Sequence, residues 1–351
     1  MPNFGRFIRS TAVAALAGLV AAVAVSAAGA ASARRADTTI TGAGSTFVAP
    51  LIAQWVPAIA NAHGYELQYS PIGSGGGIAS ITARDVDFGA SDAPLSPDQF
   101  TACKGCVQIP WALAATSVFY NLPGVKNLLH MDGPTLAKIF LGQITKWSDP
   151  AIAKLNPGVN LPDTPITIAH RSDNSGTTYN FTDYLSSASA AWKSQLGVGV
   201  AVNWPVGSGG KGSSGVAAIV SQTPGAIGYA DVAYALQNHL KYFAIKNRSG
   251  KFTVPALRNI LAAALLDTSP AADGSLSIVN PPKAKKYALA YPISTYTYVI
   301  VPMQTAKARD LKIFISWAVT HGQSYGPKLI FQPLPLPVVK FDEKSIAKIH
   351  S

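Results

Sequence analysis

After residue 36, short hydrophobic runs alternate with stretches of helical periodicity. The runs rich in β-branched and aromatic residues predict strands at Tyr65–Ser70, Val86–Ala90, Thr116–Asn121, Ile166–His170, Gly225–Tyr229 and Tyr296–Val301. The stretches with helical spacing predict helices at Gly75–Thr82, Pro134–Leu141, Thr177–Ser186 and Ala306–His321. This alternation indicates an α/β fold with mainly parallel strands.

The chain of 351 residues is longer than a single domain of common size, so we expect two lobes. It contains no internal repeat, and no clean linker separates two halves after the N-terminal segment. The absence of a linker in the sequence fits lobes joined by strands that cross from one to the other.

The N-terminal segment has the pattern of a secretory signal. Arg6 and Arg9 precede an uncharged run, Thr11–Ala31, and small residues follow at Ala31-Ser32-Ala33. We expect a signal peptide at residues 1–33 that is cleaved, which would place the mature protein in the periplasm. A membrane anchor is the alternative, because the apolar run nearly reaches the length of a membrane span.

Composition and charge restrict the function only broadly. The chain is 48% hydrophobic and 13% charged, which is typical of a globular protein and disfavours disorder. The formal net charge is +11, which favours anionic partners: nucleic acid, an anionic membrane surface or a small oxyanion. Lys283, Lys285 and Lys286 form the one tight basic cluster, and we interpret it as a solvated surface rather than a nucleic-acid site.

Two cysteines, Cys103 and Cys106, have the spacing C-x-x-C. In an exported chain this spacing predicts a local disulfide. A redox site is the alternative and would need the first cysteine at a helix N-terminus. The residues that follow instead resemble a turn leading into a strand. We expect no metal site, because the six histidines lack paired ligand spacing.

Four loops combine glycine with serine or threonine directly before a predicted helix. They are Thr41–Phe47, Gly73–Gly77, Arg171–Thr178 and Gly207–Gly215. The first turn of a helix leaves backbone N–H groups unpaired, and glycine lets an anion approach them closely. Ordinary helix capping explains any one loop equally well. Together, the loops predict a site for a small oxyanion.

Two charged residues among these loops sharpen the prediction. The Arg171 guanidinium offers a planar fork of donors for two oxyanion oxygens, and Asp173 could orient it. An ionised Asp92 only accepts hydrogen bonds, so it would suit an anion that keeps a proton, such as phosphate, and would repel sulfate. The alternative interpretations are a surface ion pair for Arg171 and a turn or cap before Pro94 for Asp92.

Several segments, in the same order along the chain, closely resemble the substrate-binding protein of the bacterial phosphate-specific ABC transporter. They are Thr41–Phe47 with Ala49-Pro50, Gly73-Ser74, Asp87–Leu95, Arg171–Thr177, Gly209–Gly212 and Pro224–Tyr229. The resemblance extends from about Thr39 to about Gly322 and weakens between Asn247 and Pro292. It implies the two-lobed α/β fold of a type II periplasmic binding protein, with the ligand cleft between the lobes. We expect lobe I at 37–115 and 285–351, and lobe II at 116–284.

The resemblance also implies which residues meet phosphate. They are Thr46, Phe47, Ser74 and Asp92 from one lobe, and Arg171, Ser175, Gly176 and Thr177 from the other. Ser45 and Asp173 would support them. Two positions depart from the family pattern: Gly75 stands where a second serine is common, and His170 where a second arginine can occur.

The function implied is binding of inorganic phosphate in the periplasm and its delivery to the permease of an ABC importer. The protein would be a monomer without a cofactor, without catalytic activity and without nucleic acid as a partner. The alternatives are a binding protein for another oxyanion, such as sulfate or molybdate, and an exported phosphate-ester hydrolase. The sequence disfavours an enzyme, because it lacks paired-histidine metal spacing and a carboxylate cluster.

Overall fold

A computed structural model describes residues 38–351, so the predicted signal peptide lies outside the described residues. The strands are β1 (Thr38–Gly44), β2 (Tyr65–Ser70), β3 (Phe88–Ser91), β4 (Cys106–Asn121), β5 (His130–Met131), β6 (Thr167–Arg171), β7 (Ser208–Gly210), β8 (Ala226–Asp231), β9 (Lys241–Tyr242), β10 (Ala244–Lys246), β11 (Phe252–Thr253) and β12 (Ser294–Pro302). The α/β alternation predicted from the sequence is therefore confirmed.

Helices pack against strands at both ends of the main sheet, as α1 does against β2 and α8 against β8. They are α1 (Ala49–His63), α2 (Ser74–Ala83), α3 (Pro97–Cys103), α4 (Gly133–Phe140), α5 (Pro150–Leu155), α6 (Gly176–Ala188), α7 (Ala190–Gln195), α8 (Gly212–Gln222), α9 (Val232–Gln237), α10 (Leu257–Ala264), α11 (Ala308–Val319) and α12 (Leu336–Ala347). None of the helices within residues 38–351 has both the length and the apolar character that a membrane crossing requires.

The main sheet has nine strands in the order β2-β1-β3-β12-β4-β8-β6-β7, with β9 attached to β4. Parallel pairs lie at its two ends, β2-β1-β3 on one side and β8-β6-β7 on the other. The central pairs β3-β12, β12-β4 and β4-β8 are antiparallel. The prediction of mainly parallel strands is therefore wrong for the centre, because β4 and β12 run through it in opposite directions.

Strand β4 links the two parallel regions of the sheet. Its first part pairs with β12 up to Ala115, and from Thr116 onward it pairs with β8. The sequence predicted bounds only for the second part, Thr116–Asn121, and indicated a turn leading into a strand after Cys106. The first part is harder to recognise as a strand because it contains Pro110, and proline cannot donate a hydrogen bond to a neighbouring strand. The register shifts beside Pro110, where the strand accommodates it in a bulge.

Aromatic side chains fill the core at both ends of the sheet. At one end, Trp55, Trp111 and Phe314 are buried and pack edge to face with ring centroids 5.2–6.4 Å apart. At the other end, Phe181 stacks on Tyr229 at 4.4 Å, and Phe140 contacts Phe181 edge-on at 4.8 Å. Burial of such rings contributes about 2–3 kcal/mol each. These contacts pack residues of α1, α4, α6 and α11 against strands β4 and β8.

Cys103 and Cys106 are joined in a disulfide at the end of α3. Cys103 is the last residue of that helix, and Cys106 begins β4. The Arg84 guanidinium donates to the Cys103 carbonyl at 2.7 Å and lies 3.5 Å from both sulfur atoms. The first cysteine therefore lies at a helix C-terminus, where the helix dipole disfavours a thiolate.

Candidate functional site

The four glycine-rich loops each connect a strand of the main sheet to a helix. They follow β1, β2, β6 and β7 and lead into α1, α2, α6 and α8. Within each parallel region, the strands place their carboxyl ends on one edge, where the following helices begin. The two regions run in opposite directions, because three antiparallel pairings separate β3 from β8. The hydrogen bonds described below connect the loops to one another, so the structure brings together residues up to 167 positions apart in sequence.

Ser45 connects the first loop to Asp92. Its hydroxyl accepts hydrogen bonds from the backbone N–H groups of Phe47 at 3.0 Å and Val48 at 3.3 Å. The same hydroxyl donates to Oδ1 of Asp92. Ser45 and Asp92 are both buried, with exposures of 0% and 2%. Ser45 therefore organises the start of α1 and holds the carboxylate in place at the same time.

Thr46 contacts two elements from the second half of the chain. Its Oγ1 lies 2.9 Å from the Ser213 hydroxyl and accepts from the Ser213 N–H at 3.1 Å. Its backbone carbonyl accepts from the Tyr234 hydroxyl at 2.6 Å. The preceding carbonyl, that of Ser45, accepts from Tyr69 at 2.8 Å. Two tyrosines thus fix successive peptide groups of this loop. The Phe47 side chain is buried against Phe331.

Ser74 joins the start of α2 to the start of α6. Its Oγ accepts from the N–H of Gly176 at 3.1 Å and from the N–H of Asp92 at 3.3 Å. A Cβ atom at Gly176 would lie 2.5 Å from Ser74 Oγ and 2.8 Å from Asp92 Cβ. Glycine is therefore required at position 176 for this approach.

Arg171 ends β6 and points into the loop cluster, 4% exposed. Asp173 binds it through two hydrogen bonds, from Nε at 2.7 Å and from Nη2 at 2.5 Å. Nη1 lies 3.4 Å from the hydroxyls of Thr177 and Ser213. Although partial burial works to raise the pKa of Asp173, the Arg171 guanidinium lowers it below its ordinary value. Asp173 thus keeps the fork of Arg171 oriented.

Ser175 and Thr177 occupy the start of α6. Ser175 is the N-cap, and its hydroxyl accepts from the Thr178 N–H at 3.1 Å. Thr177 is fully buried, and its hydroxyl lies 3.4 Å from Oδ2 of Asp92. The Thr178 hydroxyl contacts the Tyr229 hydroxyl at 2.7 Å, which fixes the first turn of the helix against β8.

Asp92 supplies the central carboxylate of the cluster. Burial raises its pKa to about 6, although hydrogen bonding from Ser45 and the positive charge of Arg171 oppose the shift. A second buried carboxyl, Asp231, caps α9 by accepting from the Ala233 N–H at 2.9 Å. Burial raises the pKa of Asp231 well above its ordinary value, and the charge of Asp92 adds to the shift.

This arrangement offers many hydrogen-bond donors around few charges. The guanidinium of Arg171 is largely balanced by Asp173, so the remaining attraction for an anion comes from hydroxyl and backbone N–H groups. Asp92 is the acceptor among them. A small tetrahedral oxyanion that carries a proton could satisfy both the donors and this acceptor. Within residues 38–351, no group of three or more His, Cys, Asp or Glu is arranged to hold a metal ion.

A cavity of about 350 Å³ lies beside Asp92 and Pro94. Its wall includes Tyr179 and Asp183 of α6 and Asp267 of the loop after α10. The wall contains no lysine or arginine. This acidic wall contrasts with the loop cluster, whose groups are mainly hydrogen-bond donors.

The structure places every residue of the predicted set in or beside the cluster, and it adds two that the sequence analysis missed. Ser213 and Tyr234 both contact Thr46. Ser213 lies in the fourth glycine-rich loop, but the family resemblance implies no ligand contact for that loop. Nothing in the sequence around Tyr234 indicated a role, because its contact spans 188 positions.

The two departures from the family pattern have local explanations. A Cβ atom at Gly75 would lie 2.4 Å from the Cβ of Asn174, so a serine does not fit this arrangement. Instead, the Gly75 N–H donates to the Asn174 carbonyl at 2.9 Å. His170 stacks on Trp204, with ring centroids 5.0 Å apart, and its side chain takes part in packing beside Arg171.

Comparisons with known proteins agree with this geometry. A family model described as a PBP superfamily domain matches residues 28–321. The phosphate-binding protein PstS of Xylella fastidiosa (strain Temecula1) is 44% identical over 306 residues, which cover 86% of this chain and 83% of that protein. The PstS protein of Pasteurella multocida is 40% identical, with coverage of 86% and 88%.

Solved structures show the same fold at lower identity. A phosphate-binding protein from Stenotrophomonas maltophilia superimposes with a TM-score of 0.70 at 18% identity, covering 87% of this chain and 93% of that one. A periplasmic phosphate-binding protein solved with bound phosphate at pH 8.5 gives a TM-score of 0.70 at 20% identity, with coverage of 86% and 92%. The fold is the two-lobed α/β fold of periplasmic binding proteins. This chain belongs to the PBP superfamily and, within it, to the family of PstS phosphate-binding proteins.

Proposed function

We propose that this protein binds one inorganic phosphate ion in the loop cluster and delivers it to the permease of an ABC importer. The observation that carries the proposal is the placement of Asp92, a buried acceptor among hydroxyl, guanidinium and N–H donors. Mono- or dibasic phosphate has a P–OH group to donate to Asp92. Sulfate at neutral pH has none, and burial would leave two negative charges facing each other.

The proposed ligand contacts are those that the family pattern suggests. They are Thr46, Phe47, Ser74, Asp92, Arg171, Ser175, Gly176 and Thr177, with Ser45 and Asp173 as supporting residues. We add Ser213, since its hydroxyl lies between Thr46 and Arg171. In this proposal Arg171 and the hydroxyls donate hydrogen bonds to the oxyanion, while Asp92 accepts a hydrogen bond from its P–OH group.

The proposed lobes divide the cluster into two parts. Lobe I comprises 37–115 and 285–351, and lobe II comprises 116–284. In support, β4 changes its partner from β12 to β8 between Ala115 and Thr116. Under this division, the Gly176–Ser74 and Tyr234–Thr46 hydrogen bonds join opposite lobes. Hinge closure is a common motion of periplasmic binding proteins, and these bonds would stabilise the closed form.

We further propose that the protein is exported by a cleaved signal peptide at residues 1–33 and acts as a monomer in the periplasm. It would dock on the permease in the closed form and is not an enzyme, in keeping with a family of substrate-binding transport proteins. Binding of another oxyanion and hydrolysis of a phosphate ester are the competing functions.

Calorimetric titration with inorganic phosphate tests the proposal. We expect saturable binding at one site, and about 100-fold weaker binding by Arg171→Lys, which keeps the charge but loses the bidentate fork. Arg309→Lys, at an exposed position, is the matched control and should bind like the parent. Absence of saturable binding by the parent would refute the proposal.

A second assay addresses the enzyme alternative. The purified protein is incubated with a chromogenic phosphate ester, and we expect no turnover above the buffer rate. Turnover that is lost in Arg171→Lys would instead assign a hydrolase activity to the same cluster.

A further inference from the structure

A second surface, far from the loop cluster in sequence, combines exposed basic and leucine side chains. We name it the basic–leucine surface, and it comprises Arg258, Leu261, Leu265, Lys283, Lys285, Lys286 and Leu289. The three leucines have exposures of 39%, 49% and 49%, which is high for large apolar side chains. A group of exposed apolar side chains rimmed by charged ones indicates an interaction surface, whereas single exposed leucines are common.

The seven residues lie on two neighbouring runs of chain. Arg258, Leu261 and Leu265 have the spacing i, i+3, i+7 and share the solvent-facing side of α10 and its end. The second run, residues 283–291, lies alongside. Its Tyr291 N–H donates to the Asn259 carbonyl at 3.0 Å, and its Tyr287 hydroxyl lies 3.5 Å from the Leu265 carbonyl.

Buried side chains hold the two runs together. Ala263, Tyr287 and Ala290 form a small apolar cluster between them. Lys286 lies over the Tyr287 ring, with Nζ 4.7 Å from the centroid. The exposed side chains are therefore presented by two runs of chain that are fixed against each other.

The part of the chain that carries this surface is strongly basic. Between residues 238 and 291 there are eight lysines and arginines but only two acidic residues, Asp267 and Asp273. Both aspartates already accept hydrogen bonds from N–H groups of their own turns. Within the described residues, none of the four basic side chains of the surface forms an ion pair. Their charges are therefore available to an external anionic partner.

We propose that the basic–leucine surface binds an anionic phospholipid bilayer. Lysine and arginine near a bilayer surface are attracted by anionic headgroups, and leucines insert at the boundary between headgroups and acyl chains. An acidic protein partner fits less well. Protein interfaces are depleted in lysine and rely on exposed aromatic anchors, while Tyr287 and Tyr291, the aromatic residues of the second run, are both buried.

Vesicle cosedimentation tests the charge part of the proposal. At low salt, we expect the protein to bind vesicles that contain phosphatidylglycerol and not pure phosphatidylcholine vesicles. The triple variant Lys283→Gln, Lys285→Gln, Lys286→Gln should partition about 100-fold more weakly, about five-fold for each charge. The matched control is the triple variant Lys126→Gln, Lys154→Gln, Lys193→Gln, which removes the same net charge from exposed positions elsewhere. The control should partition within two-fold to three-fold of the parent.

A second pair of variants tests the leucines. Leu261→Ser with Leu265→Ser should remove the part of the binding that survives 0.5 M NaCl, where electrostatic attraction is screened. Leu128→Ser with Leu336→Ser, at exposed positions elsewhere, is the control. Phosphate titration should be unchanged in all four variants, which shows that each is folded.

Three results would overturn the proposal. The first is failure of the parent to bind phosphatidylglycerol vesicles at low salt. The second is equal weakening of vesicle binding by the two triple Lys→Gln variants, which would show that only the net charge of the protein matters. The third is binding to soluble poly-L-glutamate without binding to vesicles, which would assign the surface to an acidic protein.

Discussion

At the residue scale, Asp92 combines deep burial with hydrogen bonds from Ser45 and Thr177 and with the positive field of Arg171. The hydrogen bonds and the arginine stabilise its ionised form, while burial opposes that form and prevails. Above its pKa, such a carboxyl group is ionised and accepts a hydrogen bond from a proton-bearing ligand. Below its pKa it is protonated and a weaker acceptor.

The pH dependence of phosphate binding follows from this carboxyl. Burial raises the pKa of Asp92 to about 6, so below pH 6 it carries its own proton and is a weaker acceptor for the P–OH group. We therefore expect the affinity of the parent to fall, by up to about tenfold per pH unit below pH 6, relative to that of Asp92→Asn. Calorimetric titration of both proteins from pH 4.5 to 8 measures the ratio. A ratio that does not change with pH would contradict this role.

Whether a contact in the site can be predicted from the sequence depends on how far apart its two residues lie along the chain. Asp173 lies two positions from Arg171, and their pairing follows from local spacing. Ser213 and Tyr234 contact Thr46 across 167 and 188 positions. A contact of that separation depends on how the sheet folds, and hydrophobic periodicity does not specify it.

At the scale of single elements, the loops act through the helices that they begin. The starts of α2 and α6 approach each other closely, because Ser74 and Gly176 are hydrogen bonded through a side chain and a backbone N–H. The N–H groups of a first turn have no partner within their own helix, which makes them the kind of donor that an oxyanion needs. Glycine at position 176 permits this approach, since it carries no Cβ.

Gly176→Ala tests the importance of this approach. The added methyl group would lie 2.5 Å from Ser74 Oγ, so α2 and α6 must move apart. We expect phosphate affinity to fall at least 100-fold in calorimetric titration. The phosphate-free protein should unfold thermally within a few degrees of the parent, since alanine is well tolerated in a first helical turn. Parental affinity would show that the two helices need not approach.

Helix α12 carries an acidic residue whose environment predicts a pH-dependent stability. Asp342 is fully buried, and within the described residues neither of its carboxyl oxygens has a hydrogen-bond partner. Burial, together with the negative charge of Glu343, raises its pKa to about 9. The folded state therefore holds a proton that the unfolded state releases between about pH 4 and pH 9, so this group lowers stability as pH rises through that range.

Asp342→Asn removes this titration. We expect the variant to be more stable than the parent at pH 8, by on the order of 2–4 kcal/mol, and about equal to it at pH 4. Denaturant unfolding at both pH values measures the difference. Glu343→Gln changes an exposed charge at the neighbouring position and serves as the control. An equal gain at pH 4 and pH 8 would show that Asp342 does not titrate between them.

Most single elements could be predicted from the sequence, and β4 shows where such prediction fails. Tyr65–Ser70 was predicted with its observed bounds, because alternation and flanking turn residues both mark a strand. The first ten residues of β4 are buried throughout and contain Pro110, so they lack alternation and include a strand breaker. Their strand conformation depends on pairing with β12, which is distant in sequence.

At the scale of the whole molecule, the sheet consists of two parallel regions joined by antiparallel central strands. Alternation of strands and helices predicted the parallel regions correctly. It could not predict the antiparallel centre, because the direction of β12 depends on a return of the chain over nearly two hundred residues. In our proposal, this centre is the hinge between two lobes that close on phosphate.

Competition between phosphate and sulfate tests the central claim most directly. Each anion is titrated by calorimetry at pH 7 into the parent and into Asp92→Asn. We predict that the parent prefers phosphate by at least 100-fold, and that the variant loses most of this preference because the buried negative charge is gone. Equal affinity of the parent for the two anions, or an undiminished preference in Asp92→Asn, would contradict the account.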